Sequence, residues 1–166
     1  LNFSRNVEPN LQKTNVNAIM REVVELVRER AQEKNVRIET DLDTHLPEIM
    51  IDPDGIHHAC LNILANAVDA VEPINGQIIV ATRPGTKRRE TVIEIKDNGP
   101  GIPRRQQKNI FTPFHSTKGH KGSGLGLAVA EKIVREHGGR ITLRSEPAQG
   151  ATFTIKLPNK PKAKTV

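Results

Sequence analysis

Hydrophobic and polar positions along this chain follow two periods, and the switches between them lay out its elements. From Val16 to Lys34, Ile19, Val23, Leu26, Val27 and Ala31 recur at helical spacing, and Asn15 or Asn17 supplies a cap. The period then drops to two. Val36, Ile38, Thr40 and Leu42 alternate with Arg37, Glu39 and Asp41, the pattern of a half-buried strand. Ile49-Met50-Ile51 makes a short second strand. Asp52-Pro53 starts another helix, with Asp as cap and Pro at the first position. Its apolar stripe is Ile56, Ala59, Cys60, Ile63, Leu64, Ala67 and Val71, and Pro73 and Gly76 end it. Residues 77–83 and 91–97 read as strands joined by the polar loop 84–90. Residues 98–123 carry glycines and prolines with little periodicity, and a loop of that length inside a compact domain is usually functional or mobile. A third helix runs from about Leu125 to Glu136 and stops at Gly138-Gly139. A hairpin of residues 140–145 and 151–157, turning at 147–150, follows. There is no internal repeat. Helices and strands alternate without strict βαβ order, which predicts an α/β fold: a two-layer sandwich with a mixed sheet packed on three helices.

Residues 1–8 read as the end of a helix, which Pro9 breaks, and residues 9–14 as a linker. The expected division is 1–14 as helix end and linker, 15–158 as the domain and 159–166 as a basic tail carrying Lys160, Lys162 and Lys164. At 166 residues the chain is long enough to bury one core, and with no Trp, no Tyr and four Phe that core must be aliphatic. Cys60 is the single cysteine, so no internal disulfide forms. No apolar run approaches the roughly 20 residues of a membrane span, and the start is no leader. These features point to a cytoplasmic domain with no membrane contact of its own, whether the full-length protein is soluble or membrane-attached. A net charge of +6 suits an anionic ligand or a nucleic acid. Nucleic acid is set aside, because stacking aromatics and recognisable modules are both missing.

Three segments carry candidate chemistry. Asp97-Asn98-Gly99-Pro100-Gly101-Ile102 sets a carboxylate at a strand end, where it can accept a bond from an adenine amino group. Gly99 and Gly101 allow a close approach or a positive φ, although the same residues also make an ordinary turn. Gly122-Ser123-Gly124-Leu125-Gly126-Leu127 opens a helix, and helix N-termini gather phosphates through free N–H groups. Its spacing is neither the dinucleotide fingerprint nor a Walker loop. Asn62 and Asn66 lie one turn apart, and amide oxygens with phosphate oxygens suit magnesium. Taken alone they also read as two polar positions on a half-exposed helix. Between the glycine segments, Phe111 and Phe114 can anchor a lid whose Lys118 meets terminal phosphates as a point charge. His115 and His120 have no Cys or carboxylate cluster beside them and are not read as a metal pair; His57 and His58 read as helix-surface or half-buried imidazoles.

Taken in order, Asn62…Asn66, Asp97-x-Gly-x-Gly, Phe111-x-Pro-Phe114 and Gly122-x-Gly-x-Gly resemble the N, G1, F and G2 boxes of sensor histidine kinases, whose catalytic ATP-binding domain belongs to the GHKL superfamily. The resemblance covers roughly residues 15–158 and looks nearest to the nitrogen-regulation type. It implies that ATP and Mg2+ are the cofactors and that Asp97 holds the adenine. Ile102 and Leu125 or Leu127 would flank the ring. Asn66 and Asn62 would coordinate magnesium, the glycine loop would cradle the phosphates, and Lys118 would steady the γ-phosphate. The implied reaction is phosphoryl transfer to a histidine of the kinase's own dimerisation domain, with a response regulator downstream. Leu1 to Arg5 resembles the end of that domain's second helix, but no residue here matches the acceptor, so the chain is expected to bind ATP without phosphorylating itself, as a monomer. Ala151 stands where relatives often carry Thr or Ser. The rival readings are a GHKL ATPase, an anti-sigma serine kinase and a non-catalytic nucleotide-binding module. The ATPases use a Glu one turn before the magnesium Asn, and here that position is Asn62, which cannot act as a base.

Overall fold

The computed structural model describes residues 8–86, 89–114 and 124–160. Its elements run β1 (Gln12–Thr14), α1 (Val16–Glu33), β2 (Arg37–Leu42), β3 (Ile49–Ile51), α2 (Pro53–Ala70), β4 (Gln77–Pro84), β5 (Glu90–Asp97), α3 (Arg104–Gln107), α4 (Gly126–Glu136), β6 (Arg140–Ser145) and β7 (Ala151–Pro158). Five strands form one sheet in the order β2-β4-β5-β7-β6. β2 runs parallel to β4 and every other pair is antiparallel, so the sheet is mixed as expected.

Side chains alternate across a sheet, and here the alternation sorts water from core. Thr91, Ile93, Ile95 and Asp97 of β5 are buried, as are Ala151, Phe153, Ile155 and Leu157 of β7. The apolar ones pack with Met20, Val23 and Val27 of α1, Ile56, Ile63 and Leu64 of α2, and Ala130 and Val134 of α4. The core is almost wholly aliphatic, with Phe111 meeting Phe153 edge to face at 6.4 Å. Asp97 is the last residue of β5 on the buried parity, which is how a strand aims a carboxylate beneath the helical layer.

The helix starts follow local chemistry. Asn15 Oδ1 accepts the N–H groups of Asn17 and Ala18, and Asp52 Oδ1 accepts that of Gly55. The end of α2 depends on a distant group. Lys34 Nζ donates to the carbonyls of Val68 at 2.6 Å, Val71 at 3.2 Å and Asp69 at 3.4 Å, so a cation closes the negative end of the helix.

Three details depart from the sequence-based reading. Gln12–Thr14, within the segment read as a linker, pairs antiparallel with β3, a contact between residues 35 to 39 apart that no local pattern announces. Thr40 is exposed because β2 is an edge strand, covered less completely than the alternation implies. The irregular segment after Asp97 contains the short helix α3, held by Gln107 Nε2, which donates to the carbonyls of Ile102 at 2.7 Å and Ser145 at 3.0 Å.

Candidate functional site

The candidate site is built along one face of α2. Asn62, Asn66 and Ala70 recur every four residues and so share a stripe. At its lower level stands the start of α4: a Cβ placed on Gly126 would lie 3.5 Å from Asn62 Oδ1. At its upper level stands the loop after β5: a Cβ on Gly99 would lie 3.3 Å from the Ala70 carbonyl oxygen and 2.9 Å from Asp97 Oδ1. Eight helical residues separate the two levels, a rise of about 12 Å. Carboxylate loop, paired amides and helix start thus follow one another along a line.

Asp97 is buried, and its carboxylate is fixed by backbone donors. Gly99 N–H donates to Oδ1 at 2.8 Å and Ala151 N–H donates to the same oxygen at 3.3 Å. The loop behind it is clamped by the β6–β7 turn. Ser145 Oγ accepts from Ile102 N–H at 2.8 Å and donates to the Gly150 carbonyl at 2.7 Å, while Ala148 N–H donates to the Pro100 carbonyl at 2.8 Å. Two glycines are obligatory here. Gly101 has φ +74° and Gly150 φ +79°, and a Cβ on either would collide with backbone, that of Glu146 or of Asp97. Asn98 ties the other side, its Oδ1 accepting Gln77 N–H at 2.8 Å and its Nδ2 donating to the Asn75 carbonyl at 2.9 Å.

Asn62 is half-buried, and its Nδ2 is a buried donor with no hydrogen-bond partner among the described residues. An orphaned buried donor costs roughly 1–3 kcal/mol, which a ligand oxygen can recover. The donor set also suits a hard cation. Amide oxygens are appropriate ligands for magnesium, but two neutral amides cannot neutralise it, so the remaining ligands must be anionic or water. Among the described residues no group of three or more His, Cys, Asp or Glu gathers for a metal. His57 is half-buried and His58 exposed on α2, as read from their spacing.

Ile102 and Leu127 are partly buried against the core, and Leu125 is the residue before α4. Gly124 has φ +65°, and its carbonyl accepts Phe114 N–H at 3.0 Å. Phe114 is 79% exposed, so it is no part of the core, whereas Phe111 packs into it. Lys118, Gly122 and Ser123 lie outside the described residues, as do His115 and His120.

Several supports escape a sequence reading. Ser145 and Gln107 act through contacts across 38 to 43 residues, and Gly150 by a positive φ. His137 joins α4 to α2: its Nδ1 lies 2.7 Å from the Ile133 carbonyl, so it carries the proton, and its Nε2 accepts Asp52 N–H at 3.0 Å.

Comparison with known proteins agrees with this geometry. Residues 51–161 match the family model for "Histidine kinase-, DNA gyrase B-, and HSP90-like ATPase". The signal transduction histidine-protein kinase AtoS of Escherichia coli (strain K12) is 38% identical over 161 residues, which cover 97% of this chain and 26% of AtoS. The chain therefore spans about a quarter of that relative's length. Among solved structures, the catalytic domain of histidine kinase ThkA superposes with a TM-score of 0.83 at 26% identity, covering 92% of this chain and 98% of that one. Full-length ShkA in complex with AMPPNP gives 0.84 at 27% identity, covering 98% of this chain and 34% of ShkA.

Proposed function

This chain belongs to the histidine kinase-, DNA gyrase B- and HSP90-like ATPase family as a histidine kinase catalytic domain, and from that premise we propose that it binds Mg2+-ATP and transfers the γ-phosphoryl group to a histidine on a separate dimerisation domain. The observation that carries the reading is the alignment of the Asp97 loop, the Asn62–Asn66 pair and the start of α4 along one stripe of α2. That alignment sets an acceptor for the base, amides for a metal and a helix start for phosphates in the order a nucleoside triphosphate needs.

At the base end, Asp97 is the reader. A carboxylate has about four acceptor sites, and the two backbone N–H groups on Oδ1 fix its orientation without exhausting them. It can accept from the amino group of adenine; guanine presents a carbonyl at that position, acceptor against acceptor. Gly99 and Gly101 keep the loop thin enough for the ring, and Ile102 with Leu125 or Leu127 supplies apolar flanks. At the phosphate end, Asn66 and Asn62 would hold magnesium together with phosphate oxygens, and the orphan Nδ2 of Asn62 would donate to one of those oxygens. Magnesium, when bound, neutralises charge on the phosphates. Gly122, Ser123, Gly124 and Gly126 would offer backbone N–H groups, and Lys118 would add a positive charge at the γ-phosphate. Catalysis is then positioning plus charge neutralisation. Neither Asn62 nor Asn66 can take a proton from water, which argues against hydrolysis as the main reaction.

In this reading residues 15–158 form the ATP-binding unit, residues 1–14 lead in from the dimerisation helices, and a response regulator receives the phosphoryl group downstream. Among the described residues no helix is long and apolar enough to cross a membrane. Calorimetry with a non-hydrolysable ATP analogue, with and without magnesium, tests the reading. One magnesium-dependent site is expected, and Asn66→Ala should abolish the magnesium-dependent part. A folded sample that binds no nucleotide, or magnesium dependence unchanged in Asn66→Ala, would overturn it.

A further inference from the structure

At the end of the sheet where the β6–β7 turn clamps the Asp97 loop lies a cationic groove, whose charged side chains the proposed nucleotide site does not use. It has a volume of about 700 Å³ and lies where β5, β7 and β6 meet α3. Lys96, Arg104, Lys108 and Arg144 line it, with Glu146 as the one carboxylate. The register explains the arrangement. Lys96 lies opposite Thr152, and Thr152 opposite Arg144, so two cations stand two strands apart with a hydroxyl between them. At the usual strand spacing that separation is about 10 Å. Lys96 precedes Asp97, but parity sends the two to opposite faces: Asp97 is buried and Lys96 exposed.

These cations are largely uncompensated. Arg104 reaches Glu146 at 3.3 Å, but both side chains are mostly exposed, and such a pair is weak. Lys96, Lys108 and Arg144 make no ion pair among the described residues, whereas Arg83 and Arg140 elsewhere on the sheet are matched by Asp41 and Glu90. Clustered like charges raise the local potential and steer anions.

We propose that this groove docks an acidic, carboxylate-rich segment of a partner protein. An extended segment presents same-side carboxylates about 7 Å apart, so two or three of them span the distance from Lys96 to Arg144. A small anion would call for donors converging on one point, and these are spread and exposed. A second copy of this chain is disfavoured by its net charge of +6. A single-stranded nucleic acid would need a stacking platform, and the aromatic beside the groove, Phe111, is turned edge to face onto Phe153.

The test is fluorescence anisotropy with a labelled octaglutamate peptide at low and moderate salt. Expected is binding that weakens as salt rises and falls at least tenfold in Lys108→Glu/Arg144→Glu, with affinity for the ATP analogue unchanged. The matched-charge control Arg21→Glu/Lys160→Glu, away from the groove, should retain peptide binding. Should the charge reversal unfold the protein, Lys108→Gln/Arg144→Gln reads the same loss. No binding at low salt would overturn the proposal, as would an equal loss in the control. Displacement of the peptide by inorganic phosphate at matched concentration, or tighter binding of oligouridylate through the same residues, would overturn it too, in favour of a small-anion or a nucleic-acid site.

Discussion

At the scale of single residues, burial decides what a side chain can do. Asp97 and Cys60 are both buried, yet only Asp97 has backbone donors that hold it toward a site. Asp97→Asn keeps the shape but turns part of an acceptor into a donor, so affinity for ATP should fall about tenfold or more while that for GTP changes little. Competition calorimetry with both nucleotides would show it, and equal losses would contradict an adenine-reading role. Cys60 lies on the core face of α2, and desolvation pushes its thiol up to about 12 from its ordinary value near 9. The unfolded chain therefore loses this proton before the folded one does, and stability falls as pH rises from about 9 towards 12. Urea titrations across that range should show a shallower decline for Cys60→Ala than for the parent; parallel curves would mean that the thiol does not contribute. Both residues belonged to patterns readable in the chain, Asp97 to a glycine turn and Cys60 to an apolar stripe.

Elements show where local rules stop. The caps Asn15 and Asp52 and the stop at Gly138-Gly139 are short-range chemistry, and α1, α2 and α4 begin and end within a residue or two of where that chemistry puts them. The short helix α3 and strand β1 were not readable, because Gln107 and the β1–β3 pairing hold them through distant partners. The same holds for the end of α2, where Lys34 bonds three carbonyls. Lys34→Met keeps the aliphatic stem and removes the charge, and should destabilise the domain by about 1–2 kcal/mol. A chemical-denaturation midpoint unchanged from the parent would remove Lys34 from the account of that helix end. Because α2 also carries Asn62 and Asn66, loosening its end should weaken magnesium-dependent nucleotide binding as well.

For the whole molecule, the layered fold sets out two features: a line of polar groups along α2, and a basic groove at the end of the sheet beside the β6–β7 clamp. With no acceptor histidine matched in this chain, labelled ATP should leave the chain itself unlabelled and should label an added dimerisation and phosphotransfer domain. Multiple-turnover phosphate release by the chain alone would instead favour an ATPase. The sequence by itself determined the main helices and strands, their order, the aliphatic core and the residue types of the proposed nucleotide site. These follow from periodicity, capping and turn chemistry within a few residues, and from motifs whose order along the chain is itself specific. Only the tertiary structure decided which of those groups meet. The clamp on Asp97 by the β6–β7 turn, the position of Gly126 over Asn62, the closing of α2 by Lys34 and the row Lys96-Thr152-Arg144 all join residues far apart in sequence. Their proximity is set by strand register and helix packing, which balance the whole core at once and leave no mark on any short stretch of chain.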